Sequence, residues 1–133
     1  MTAVRVAIAA SRFHAPMVER LGARAEDVDL AWAPGAFELP HLAQALARSG
    51  RYDAILALGV VIRGETPHFD YVCAEAARGV ADVSRAEGVP VLFGVVTADD
   101  PGQAHARAGG VSNKGTDVAR AAIEFVRVLK EAR

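Results

Sequence analysis

Four short runs of Val, Ile, Leu and Ala punctuate the chain, at residues 4–10 (VRVAIAA), 28–33 (VDLAWA), 54–62 (AILALGVVI) and 90–96 (PVLFGVV). Each is almost continuously apolar and bounded by turn-forming residues, which predicts buried strands of a sheet covered on both faces. Between them the apolar period lengthens to that of a helix. Leu39, Leu42, Ala43 and Leu46 form one stripe that stops at Gly50. Phe69, Val72, Cys73, Ala76, Val80 and Val83 form a longer one that stops at Gly88, with Pro90 just beyond. Asp99 or Asp100 can cap a further helix with Pro101 in its first turn, and Val118, Ala122, Phe125 and Leu129 mark a last helix.

Strand and helix thus alternate four times, and one more helix follows. That order predicts a parallel sheet with right-handed crossovers and helices on both faces. The expected class is α/β, a three-layer α/β/α sandwich on a four-stranded parallel sheet, flavodoxin-like. The first crossover is the short one, because residues 14–27 leave room for only a short helix. No repeat or linker interrupts the chain, so residues 1–133 read as a single domain.

Composition narrows the function. Fifteen Lys and Arg against 16 Asp and Glu give a formal net charge of -1, so no broad basic field exists for nucleic acid or an anionic membrane surface. Any bound anion must be small and locally gripped. One cysteine, Cys73, can form neither an internal disulfide nor a Cys-x-x-Cys metal site. The opening MTAVRVAIAASRF has too short an apolar stretch for a signal peptide, and no segment approaches the roughly 20 apolar residues of a membrane helix. The expected setting is the cytoplasm, with no membrane partner.

In open parallel sheets ligands bind beyond the carboxyl ends of the strands. The segments at those ends are SRFH (11–14), PGAFE (34–38), RGETPH (63–68) and TADD (97–100), and the first three are dense in Phe, Arg, Glu, His and Gly. Gly64, Glu65 and Thr66 precede a helix start near Pro67 or His68. Free N–H groups and the helix dipole there favour a phosphate or carboxylate, with Thr66 as a hydroxyl donor; an ordinary capped helix end is the other reading. His68 can exchange protons near neutral pH, since an unperturbed imidazole titrates at about 6.5. Phe13 and Phe37 can sandwich a planar ring and Glu38 can read its polar edge, although core packing, or a hydrophobic staple for Phe37, serves equally. His14, His41 and His105 lack metal-ligand spacing, so no metal site is expected, and Trp32 and Cys73 read as core or interface. The G-x-G-x-x-G fingerprint and the P-loop are both absent, which counts against a standard dinucleotide fold or NTPase.

Taken together, four stretches resemble the lumazine synthase family of riboflavin biosynthesis. They are SRFH, PGAFELP, LGVVIRGETPHFDYVCAEAARGV, and PVLFGVVTADDPGQAHARAGG with NKGTDVARAAIE, in the family's order and over nearly the whole chain. The resemblance implies condensation of 5-amino-6-(D-ribitylamino)uracil with 3,4-dihydroxy-2-butanone 4-phosphate to 6,7-dimethyl-8-ribityllumazine, phosphate and water, without metal or organic cofactor. It further implies that Phe13 stacks on the pyrimidine, that Ala36, Phe37 and Glu38 line the site around the ring and ribityl chain, and that Val60, Val61 and Ile62 offer main-chain groups to the pyrimidine. Gly64, Glu65 and Thr66 would hold the phosphate end with Arg107 as counter-charge, and His68 would transfer protons.

The resemblance also implies a homo-oligomer, a pentamer or an assembly of pentamers, with active sites between subunits. Phe93, Arg107 and Lys114 would then come from the neighbouring chain, and riboflavin synthase is a candidate packaged partner. The first crossover is shorter than usual in that family by roughly 10 residues, about 15 Å of helix. The segment ahead of the first strand is also almost missing, and the loop before Asn113 lacks a usual Lys/Gly pair. The competing functional class is a flavin- or lumazine-binding or shell-forming homologue that keeps the pocket without turnover.

Overall fold

The computed structural model describes residues 4–12, 28–108 and 113–133. Four strands, β1 (Val6–Ser11), β2 (Asp29–Ala33), β3 (Ala54–Ile62) and β4 (Val91–Ala98), pair in the order β2-β1-β3-β4, all parallel. A 3-10 turn (Ala36–Glu38) leads into α1 (Leu39–Arg48), and α2 (His68–Glu87), α3 (Pro101–Ala108) and α4 (Lys114–Ala132) follow. Successive side chains of a strand point to opposite faces, so the central strands feed two cores. Ala7, Ala9, Ile55, Ala57 and Val61 pack with α1 and α2 on one side. Ile8, Ala10, Leu56, Leu58 and Val60 pack with α3 and α4 on the other. The expected three-layer α/β/α sandwich is what the chain forms.

Three local expectations shift. The second strand is a sheet edge rather than a doubly covered strand: Asp29 and Leu30 are exposed, and among the described residues only β1 flanks it. Strand β4 runs two residues past the apolar stretch, because Thr97 and Ala98 find register partners in Val61 and Ile62. In α4 the sheet-facing residues are Gly115, Val118, Ala122 and Val126, while Phe125 turns out to the flank at 43% exposure. Strand β4 and α4 approach closely at Gly94, where a Cβ would lie 3.1 Å from Val118 and 2.6 Å from Leu58.

The remaining boundaries follow local chemistry. Asp100 accepts from the Gln103 N–H at 2.9 Å and so caps α3, and Asn113 accepts from the Thr116 N–H at 3.1 Å to cap α4. Gly50 and Gly88 take left-handed φ of 74° and 70° just past α1 and α2. The expected helix within residues 14–27 lies outside the described residues. Among the described residues no helix is long and apolar enough to cross a membrane.

Candidate active site

The strand order sets the site. From β1 the chain steps out to β2 and then returns across β1 to β3, so the crevice between the carboxyl ends of β1 and β3 is where the winding reverses. Pairing of β1 with β3 stops at Ala10 and Leu58, whereas β3 stays paired with β4 as far as Ile62. The β1-facing main-chain edge of Val60, Val61 and Ile62 is therefore left without a strand partner among the described residues. Val60 buries its side chain in the α3/α4 core and Ile62 packs against that core, so these two offer the crevice mainly their backbone.

A cleft of about 620 Å³ opens there, lined by Pro34 to Glu38, by Val60 to Ile62, and by Gly64, Thr66, His68, Phe69 and Val72. That size suits a small organic molecule. The walls are largely apolar, and Glu38, Thr66 and His68 are the polar side chains on them. Phe37 stands at the lip with 53% of its surface exposed, which sets aside the core reading and leaves an open aromatic face. Glu38 folds back toward the main chain of Gly35, since a Cβ at position 35 would sit 3.3 Å from its Oε1.

Helix α2 begins at His68 with Pro67 as its N-cap, and no side chain caps it. The Thr66 hydroxyl accepts from the His68 N–H at 3.4 Å, too long for a strong bond, and the Asp70 N–H donates to the Pro67 carbonyl at 3.0 Å, so among the described residues it is the His68 and Phe69 N–H groups of this 20-residue helix that stay largely available beside Gly64 and Thr66. Asp70 pairs with Arg63 at 3.5 Å instead of being committed to His68. The Asp99 hydrogen bond, ahead of all other influences, holds the Arg63 guanidinium more firmly protonated than usual.

Sequence and structure coincide on Ala36, Phe37, Glu38, Val60, Val61, Ile62, Gly64, Thr66 and His68, all of which line the cleft. Glu65 is exposed beside it without lining it. Phe93, Arg107 and Lys114 lie outside the cleft of their own chain: Phe93 packs against the α1/α2 core, Arg107 reaches the Gln103 carbonyl at 3.5 Å, and Lys114 opens α4. Phe13 lies outside the described residues. Sequence reasoning did not assign Pro34, Gly35, Phe69 and Val72 individually as lining groups, although the first two open the PGAFE segment it singled out. The last two carried a signal, their place in the first turns of α2, but it was absorbed by their part in the helix's apolar stripe.

Comparison with known proteins identifies the family of the whole chain. A sequence model of 6,7-dimethyl-8-ribityllumazine synthase matches residues 3–130. The 6,7-dimethyl-8-ribityllumazine synthase of Desulfatibacillum aliphaticivorans is 54% identical over 113 residues, covering 84% of this chain and 73% of the relative. With the sheet order, the switch-point cleft and a match of that extent in agreement, the chain belongs to the 6,7-dimethyl-8-ribityllumazine synthase family.

Proposed function

We propose that the switch-point cleft is where this chain carries out its family's reaction, the condensation of 5-amino-6-(D-ribitylamino)uracil with 3,4-dihydroxy-2-butanone 4-phosphate in the penultimate step of riboflavin biosynthesis. The observation that carries the proposal is the unpaired main-chain edge of Val60 to Ile62 lying across one cleft from the open helix start at Thr66 and His68. A flat pyrimidine needs in-plane donors and acceptors, which an unpaired strand edge supplies. A phosphate ester needs N–H groups and a helix dipole, which the α2 start supplies.

The pyrimidine lies along β3 with Phe37 and Phe13 on its faces, Ala36 beneath the ring and Glu38 toward the ribityl chain. The phosphate sits at Gly64, Glu65 and Thr66. The substrate amine attacks the ketone and water is lost to give an imine. Loss of an α proton then expels phosphate, and the resulting enol takes up a proton to become a ketone. The second amine closes on that carbonyl with loss of another water. Every step moves a proton, and His68 at the mouth of the phosphate subsite is the group placed to carry it, with an effect of ~10²–10⁴-fold. Holding two reactants together supplies much of the rest.

The family resemblance supports a pentamer in which Phe93, Arg107 and Lys114, which lie outside the cleft of their own chain, complete the cleft of a neighbouring copy, with Arg107 as counter-charge to the phosphate. The setting is the cytoplasm, and riboflavin synthase is the partner to look for in a larger shell. The test is to mix the purified protein with both substrates and follow lumazine absorbance and fluorescence, with Arg107→Ala alongside. Product formation, with a weakened hold on the phosphate substrate in the variant, is expected. A folded oligomer that forms no product above the uncatalysed rate sinks the assignment and leaves a binding or shell protein.

A further inference from the structure

We infer that Arg63 is a positioning residue that sets the phosphate-binding turn and the proton-transfer histidine in place, an inference that rests on the proposed reaction. Arg63 is the first residue past β3, and its N–H donates to the Ala98 carbonyl at 2.8 Å, so the backbone remains attached to β4 after the strand has ended. Its side chain then reaches two further elements at once. Nε donates to Asp99 Oδ1 at 2.8 Å beyond β4, Nη1 reaches Asp70 Oδ1 at 3.5 Å in the first turn of α2, and the guanidinium carbon lies 4.4 Å from the centre of the Phe69 ring.

Between Arg63 and Phe69 run Gly64, Thr66 and His68, three lining groups of the cleft. Among the described residues little else ties this turn to the sheet. No side chain caps α2, the His68 N–H to Thr66 bond is long at 3.4 Å, and the 3.0 Å bond from the Asp70 N–H to the Pro67 carbonyl joins the turn only to its own helix. The far anchor is itself held, because the Asp99 N–H donates to Gln103 Oε1 at 2.9 Å and the Gln103 N–H to Asp100 at 2.9 Å. Arg63 thus ties the α2 start to the α3 start across the end of the sheet. Its side chain is 46% exposed and Asp99 is 66% exposed, so the pairs contribute little to folding stability. Their effect is on geometry, where a displacement of about 1 Å can cost up to ~10²-fold in rate.

The test compares Arg63→Met, which keeps an apolar stem over Phe69 but removes the polar contacts, with Arg63→Lys and with Asp99→Asn, which leaves Arg63 in place. For Arg63→Met we expect the KM for the butanone phosphate to rise about tenfold and kcat to fall several-fold, with the KM for the ribitylaminouracil within about twofold of wild type and Tm nearly unchanged. Arg63→Lys should recover part of the loss, as it restores the charge without the planar fork, and Asp99→Asn should show the same selectivity in smaller measure. Constants all within about twofold of wild type overturn the inference, and so does a parallel loss for both substrates with a lowered Tm. Titration with inorganic phosphate, read on the His68 imidazole proton resonance, needs no turnover. If wild type is inactive the reaction assignment fails, while equal phosphate affinity in wild type and Arg63→Met refutes the role of Arg63 separately.

Discussion

Gly79 in the middle of α2 lies directly against Pro40 in the first turn of α1: a Cβ added at position 79 would meet Pro40 Cγ at 2.6 Å and Cβ at 2.7 Å. Both atoms belong to a rigid ring at a helix start. The contact therefore fixes the distance between the helix that carries His68 and the turn that carries Phe37 and Glu38.

Substituting Gly79→Ala sets two effects against each other. Alanine in a helix interior gains roughly 0.5–1 kcal/mol over glycine, whereas overpacking a rigid contact costs typically ~1–3 kcal/mol. The overlap with Pro40 decides the sign, and urea unfolding should show a net loss of about 1 kcal/mol or more. A more stable variant would mean that α1 can move aside.

Phe37→Ala removes a ring that is 53% exposed, so its stability should stay within about 0.5 kcal/mol of wild type by thermal unfolding. Aromatic stacking is worth ~0.5–1.5 kcal/mol, which translates into a KM for the pyrimidine substrate higher by about two- to tenfold. The KM for the butanone phosphate should not follow. Steady-state kinetics varying one substrate at a time separates the two.

His68→Ala should slow product formation by about 10²-fold or more without abolishing it, because the two substrates remain held together in the cleft. Single-turnover fluorescence measures the residual rate. Unchanged turnover would remove His68 from the proton-transfer role.

Glu87, near the end of α2, accepts from Gln44 Nε2 at 3.0 Å and from Arg48 Nε at 3.1 Å, tying α2 to α1. The Gln44 hydrogen bond, and after it that of Arg48, keep its carboxyl below the ordinary value of 4.5. A carboxyl with a lowered folded-state pKa stabilises the fold above its unfolded pKa, and the contribution is lost as pH falls through the folded value. Wild type should therefore melt above Glu87→Gln at pH 7, and the difference should shrink below pH 4.5. A difference that holds constant down to pH 3 would exclude the ionised carboxylate as its source.

The sequence by itself determined the layers and most of the rim. Nine consecutive apolar residues, Ala54 to Ile62, can be stable only with both faces covered, and the helical stripes between such runs leave a parallel sheet as the consistent packing. Once that is known, PGAFE and RGETPH must fall at strand ends, and the structure places both on one cleft. Local patterns could not rank strands by position in the sheet, so the exposure of β2 and the extension of β4 to Ala98 emerged only from pairing. Periodicity likewise could not choose between Phe125 and Val126 in α4, of which the packed helix buries Val126.

Tertiary structure alone decided which charges meet at the rim, unlike the Arg78 and Arg85 pairs that helical spacing sets within α2. Arg63 bonds Asp99, 36 positions away, and Asp70, seven away, because the ends of β3 and β4 and the start of α2 converge at one corner of the sheet. A charge carries no sequence mark of a partner on another element, whereas an apolar residue marks its face by its period. Hence the core and the polar rim could be read along the chain, while the switch-point crevice, the unpaired edge of β3 and the clamp around Arg63 arise from contacts between elements far apart in sequence.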